Sequence, residues 1–208
     1  MNPVIKALNF RHACKQFVPD RKIEKSSMDL IMTAAHMSPS SFGMEAWKFL
    51  VIRSDDVKKE LRPFCWNQPQ ITQASHVIVI LAKPGLTVPS SEYVTQNFKR
   101  RGLSDEAAKA YIEKYKTHME SEVYPRMTPY AWVSKQCYIA LANIMTTAAS
   151  EGIDSCPIEG FEKDGVEKVL NIDRDMYEVS VITALGYRAN EQSERHRRSF
   201  DNIVEYIF

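Results

Sequence analysis

Four sets of residues in this chain combine types and spacings that could hold a ligand. Arg11-His12-Ala13-Cys14-Lys15 places two permanent cations four apart near the start, and Arg195-His196-Arg197-Arg198 forms a second cationic cluster near the end. A phosphate monoester is close to a dianion at neutral pH and is best held by arginine forks and backbone N–H groups. If the two ends of the chain meet, these clusters form a phosphate cradle. By themselves, charge runs of this kind are more often solvated surface.

The second set is Ser38-Pro39-Ser40-Ser41, which follows a helical stretch ending near His36. Its hydroxyls offer donors and acceptors to a polar ligand, yet Ser and Pro are also ordinary helix-stopping residues. The third runs from Asp154 to Phe161 (DSCPIEGF). Pro157 cannot donate to a ladder, so a strand is expected to end there. Gly160 lets backbone approach a flat ligand closely. The fourth is Trp66-Asn67-Gln68-Pro69-Gln70, a polar loop able to present amides to a heterocycle. Neither of the last two sets decides between a site and a plain turn.

Several other chemistries lack their residues. The sequence has no G-x-G-x-x-G fingerprint, P-loop, H-E-x-x-H or G-x-S-x-G elbow. The five histidines show no metal-ligand spacing with cysteines or carboxylates, so no metal site is expected. The four cysteines are scattered, as buried free thiols in a reducing compartment would be.

The elements that must position these residues follow from periodicity. A short helix is expected over Pro3–Asn9, then a basic loop from Arg11 to Lys25. Ser26 and Asp29 have capping-box spacing and open a helix running to about Met37. Trp47–Arg53 reads as a strand, Asp55–Phe64 as a helix. His76–Lys83 (HVIVILAK) reads as a strand covered on both faces. Pro89–Glu122 is charged helical sequence with breaks near Gly102 and Pro125. From Pro129 to Glu151, apolar residues at Cys137, Ala140, Leu141, Ile144, Met145 and Ala148 make the stripe of a buried helix face. The remaining positions include Tyr138, Ile139 and Ala142, which suits a helix crossing a core or a subunit interface. Gly152 ends it. Ser155–Ile158 is extended, Val166–Leu170 helical and Val179–Leu185 a strand. The aromatic tail (Phe200, Tyr206, Phe208) is expected as helix or strand docked on a partner. The sum is an α+β fold, helices flanking a mixed sheet, in a single domain over residues 1–208.

Composition narrows the function classes. Lys and Arg total 27 against 26 Asp and Glu, leaving no bulk charge to attract nucleic acid or an anionic membrane. The longest stretch free of charged residues, Pro63–Ala82, carries Asn67, three Gln and two Pro, too polar to span a bilayer. The N-terminus lacks a secretory pattern, so a cytoplasmic location is expected.

Taken in order, R-H-x-x-K-x-F (Arg11–Phe17), S-P-S-S-x-G-x-E-x-W-K-F (Ser38–Phe49) and A-S-H-V-I-V-I-L-A-K (Ala74–Lys83) resemble the nitroreductase family of flavin enzymes. K-Q-x-Y-I-A-L-A-N (Lys135–Asn143), G-I-D-S-C-P-I-E-G-F (Gly152–Phe161) and R-H-R (Arg195–Arg197) complete the set. Each motif is weak alone. Their shared order over nearly the whole chain is specific.

The resemblance implies a three-layer sandwich and a homodimer with tightly bound flavin mononucleotide (FMN) at the subunit interface. The long helix would build that interface, and the tail would swap onto the partner's sheet. Arg11, Arg195 and Arg197 look like the phosphate ligands, with His12 in the same loop. Lys15 is similar to the lysine at the pyrimidine end of the ring, and Asn67 to a ring-contacting amide. Pro39, Ser40 and Ser41 correspond to a segment reaching in from the partner. Pro157 leads into Glu159 and Gly160, whose N–H groups would face flavin N5 and O4.

The implied activity is hydride transfer from NADH or NADPH to nitroaromatic, quinone or similar acceptors in two half-reactions. The chemistry centres on FMN N5, with no protein acid or base. Alternatives within the same resemblance are an FMN storage or sensing protein, or an offshoot catalysing dehalogenation or oxidation. The chain departs from some relatives at Ala13 (Ser), Gly43 (Asn), Glu45 (Gln) and Gln70 (Lys).

Overall fold

The seven residues His76–Ala82 are all buried, and they form the second of four strands, β2. A computed structural model describes residues 1–208. In chain order, α1 (Pro3–Phe10) and α2 (Lys25–His36) precede β1 (Trp47–Ile52). Next come α3 (Asp55–Leu61), α4 (Pro69–Gln73), β2, α5 (Glu92–Lys99), α6 (Asp105–His118) and α7 (Pro129–Ser150). The chain closes with β3 (Asp154–Ile158), α8 (Lys163–Val169) and β4 (Glu178–Gly186).

The sheet order is β1-β2-β4-β3, which leaves β1 and β3 at the edges. Alternation along β2 sends Ile78, Ile80 and Ala82 into one core with α2, α5, α6 and α7. Val77, Val79 and Leu81 enter the other core, against α3, α4 and α8. The result is the expected α+β three-layer sandwich. A register shift between Ile80 and Leu81 of β2 lets Ser180 and Val181 of β4 both face α7. There Ser180 shares a 2.7 Å hydroxyl contact with Ser134.

Three local expectations are corrected. The sheet is not mixed: all three ladders are antiparallel, and the one parallel pairing is the bridge Ala13↔Ser155. β3 does not end at Pro157 but runs to Ile158, because an edge strand tolerates a residue without N–H. The Ser26–Asp29 capping box is absent. Glu24 is the N-cap of α2 and makes no side-chain cap bond, while Asp29 pairs with Lys25.

The long helix α7 follows its sequence signals. Thr128 Oγ1 accepts from Ala131 N at 3.2 Å, Pro129 fills the first turn, and Gly152 lies in left-handed backbone just beyond the end. Trp132, Val133, Cys137, Ala140, Leu141, Ile144 and Ala148 are buried in the core, whereas Tyr138 and Ile139 face outward. The tail forms one 3₁₀ turn (Phe200–Asn202), and Phe200, Ile203, Tyr206, Ile207 and Phe208 are exposed. No helix is long and apolar enough to cross a membrane.

Ile144 sits with no exposed surface at the centre of α7. Ile144→Ala is expected to lower the unfolding free energy by about 2–5 kcal/mol. The measurement is a urea midpoint at unchanged slope, and a loss below about 1 kcal/mol would contradict close packing there.

Candidate functional site

The two ends of the chain meet. After α1, the loop from Arg11 lies along β3 through the Ala13↔Ser155 bridge, where Cys14 N donates to Ser155 O at 3.0 Å. From the other end, Arg195 donates to the carbonyls of Asn9 (3.2 Å) and Arg11. Arg11, His12, Lys15, Arg195 and Arg197 thereby line one cavity of about 490 Å³, with Ala13 and Gln192–Glu194. Burial, then Arg195 and Arg197, push the Arg11 guanidinium below its ordinary value. Like charges crowded into a cavity are stabilised by an anion placed among them.

His12 is held at the back of this cavity. Its Nδ1 lies 3.6 Å from Oδ1 of buried Asp154, and Arg188 Nη2 lies 2.6 Å from the same oxygen. Neither approach to that oxygen has hydrogen-bond alignment, whereas Asp154 Oδ2 accepts from Arg188 N at 2.9 Å. Burial and the Arg188 charge lower the His12 pKa against the opposing pull of Asp154. His12, Cys14 and Asp154 offer ligand atoms within 4.8 Å of one another, but the Arg188 guanidinium already occupies the carboxylate. This cluster reads as a loop anchor.

Along β3 the next side chain is Cys156, with Lys15 Nζ 4.0 Å and Gln70 Nε2 3.8 Å from its sulfur. At the far end, the chain leaves β3 at Glu159–Gly160. The N–H groups of these two residues donate to no group in the chain. Tyr138 of α7 donates to the Glu159 carboxylate, and burial, then that carboxylate, raises the tyrosine pKa. A Cβ on residue 160 would overlap the Trp66 indole, so the glycine is needed for this close approach. Trp66 and Asn67 both lie in left-handed backbone (φ 52° and 53°), and the indole is 70% exposed. Strain of this kind in non-glycine residues concentrates at functional sites.

Pro39, Ser40 and Ser41 are not among the residues lining the Arg11 cavity. Ser41 N donates to Gln136 of α7 at 2.9 Å, and Ser40 Oγ accepts from Glu45 N at 2.9 Å. Glu45 pairs with Arg100 at 2.9 Å. The serine segment is thus held against α7 and the Glu45 turn, apart from the cationic cavity. The sequence patterns did not single out Arg188, Asp154, Gln68 or Tyr138. Their roles depend on partners distant in the chain; Asp154, Gln68 and Tyr138 lay in the DSCPIEGF, WNQPQ and KQCYIALAN stretches, whereas Arg188 lay in none of the stretches singled out.

An α/β/α sandwich carrying a cationic cavity, a lysine and a free amide pair in a row along one edge strand defines the class. The chain matches the model of the Nitroreductase family over residues 8–187, and it belongs to that family. A Staphylococcus haemolyticus protein named "putative NAD(P)H nitroreductase" is 38% identical, the match covering 98% of this chain and 97% of that one. The YfkO protein of Bacillus subtilis, named likewise, is 33% identical over 98% and 97%. Among solved structures, a nitroreductase-like protein of Streptococcus mutans superposes with a TM-score of 0.86 (19% identity, 100% and 99% covered). One from Exiguobacterium sibiricum, described as a complex with FMN, gives 0.79 (22%, 98% and 96%).

All four cysteines are buried and unpaired. Burial raises their pKa values, to about 11 at Cys14 and about 12 at Cys65 and Cys137; at Cys156 it outweighs the opposing Lys15. A raised thiol pKa means less nucleophilic thiolate at a given pH, roughly a thousandth of the total at pH 8 for a value near 11. The folded protein is expected to react slowly with an aromatic disulfide reagent at pH 8, and all four thiols to react promptly in guanidinium. Rapid titration of any one in the folded state would show an open path to it.

Proposed function

We propose that this chain is an FMN-dependent oxidoreductase that passes hydride from NADH or NADPH to small acceptors such as nitroaromatics or quinones. The observation that carries the proposal is the convergence of Arg11, Arg195 and Arg197 from opposite chain ends on one cavity. Their mutual repulsion suits a dianionic phosphate, and the free Glu159 and Gly160 N–H groups suit the polar edge of a flavin ring. The residues present fit FMN. FMN, when bound, supplies the centre that accepts and then donates hydride.

In this reading Arg11, Arg195 and Arg197 grip the phosphate, and His12 lies in the same loop beside Asp154. Lys15 sets a positive charge beside the ring's pyrimidine end, and Asn67 offers its amide to the ring edge. Pro157 carries the edge strand into Glu159 and Gly160, which present N–H groups to N5 and O4. Holding the ring by backbone amides fixes the reacting atom without a side-chain acid or base. Pro39, Ser40 and Ser41 would enter the site from the partner of a homodimer. The exposed apolar residues of α1 (Val4, Ile5, Leu8) and of the tail provide surface for that pairing.

A yellow protein as purified, oxidising NADPH steadily with menadione or nitrofurazone, is the expected result. Parallel double-reciprocal plots would follow if nicotinamide and acceptor take turns at one face; intersecting plots would count against it. A colourless protein that FMN cannot reconstitute would overturn the proposal, and a yellow one without turnover would make it a storage protein. Arg197→Ala is expected to weaken FMN binding about ten- to hundredfold (about 1.5–3 kcal/mol), read from cofactor fluorescence on dilution. Unchanged affinity would remove Arg197 from the site.

A further inference from the structure

The free N–H groups of Glu159 and Gly160 are useful only if the turn that carries them keeps its direction. That turn has left β3, so no ladder holds it. Gln68 does. Its Nε2 donates to Gly160 O at 2.9 Å and to Cys65 O at 3.0 Å, spending both hydrogens on backbone carbonyls. Two carbonyls can only accept, so the amide's orientation is not interchangeable. Its Oε1 is left to accept from Gln70 Nε2 at 2.9 Å. Gln70 is itself buried, with Cys156 Sγ at 3.8 Å. The Trp66 ring, in the same loop, packs on the Gly160 Cα.

We propose that Gln68 is a positioning residue, whose side-chain amide ties the Trp66–Asn67 loop to the Glu159–Gly160 turn and so keeps two N–H groups directed at a bound flavin ring. The proposal rests on the reading of this track as an FMN site. Gln68 is not among the residues that line the cationic cavity. Its loss acts on the ring end alone. A residue needed only for folding would not separate the two ends in this way.

The test uses the full-length protein with FMN and, as a probe of the cationic end, inorganic phosphate. Gln68→Met removes both donors at similar length. FMN is expected to bind about tenfold more weakly, as loss of one or two net hydrogen bonds implies, while calorimetric affinity for inorganic phosphate stays within twofold. The visible band of the remaining bound flavin should also shift, because the polar contacts at its edge have changed. Equal weakening of FMN and phosphate, or FMN binding within twofold of the parent, would overturn the proposal.

Gln68→Glu supplies a second arm should the methionine variant fail to fold. An ionised carboxylate repels both carbonyls, whereas its protonated form regains one donor. Its FMN affinity relative to the parent at the same pH is therefore expected to recover between pH 8 and pH 5. A ratio independent of pH would overturn the proposal. A parent protein that binds phosphate but no FMN would instead overturn the reading on which it rests.

Discussion

Three guanidinium groups share one cavity here, and Coulomb repulsion opposes that arrangement in a partly desolvated setting. The fold offsets it in two ways. Arg195 spends donors on the carbonyls of Asn9 and Arg11, so part of its field is answered by backbone dipoles. The Arg11 loop is also pinned independently of charge: the bridge to Ser155 and the burial of Cys14 and Phe17 fix its path along β3. What remains is a cavity lined by three arginines and Lys15 against one acidic residue, Glu194. Charge alone does not select one anion from another, and the groups that could add selectivity lie elsewhere along the strand.

That elsewhere is set by topology. Because β4 sits between β2 and β3, β3 is an edge, and one side of it is free to accept the Arg11 loop and to release its end as a turn. Pro157 belongs to the same logic. In a central strand its missing N–H would leave a carbonyl unpaired; at the edge it discourages another strand from adding there. The row from Arg195 through Lys15 and Cys156 to Gly160 therefore follows from strand order, and strand order cannot be read from periodicity.

Much else was legible. β2 announced itself by an uninterrupted β-branched run, and α7 by its stripe between Pro129 and Gly152. The cationic clusters were visible as composition, though only the tertiary structure shows that residues more than 180 apart in sequence share a cavity. The failures have particular causes. Ser26 and Asp29 had the spacing of a capping box, but Asp29 pairs with Lys25 and the N-cap falls at Glu24, two residues earlier. A mixed sheet was expected, yet the connections here carry the chain back antiparallel.

The Trp66–Gly160 contact was the part of this edge least visible in the sequence. Neither residue is informative alone: glycine after a strand is ordinary, and tryptophan is more often core than surface. Together they form a dependency, since any side chain at 160 would overlap the indole, and the indole reaches that position only because Trp66 and Asn67 adopt left-handed backbone. Such conformations cost of order 1–3 kcal/mol each in non-glycine residues and persist only where surrounding contacts over-determine them. Here those contacts are Arg62 Nε donating to Asn67 O at 3.1 Å and Gln68 bridging to the opposite turn. The loop and the Glu159–Gly160 turn are thereby fixed together through the Gln68 amide and the Trp66 ring.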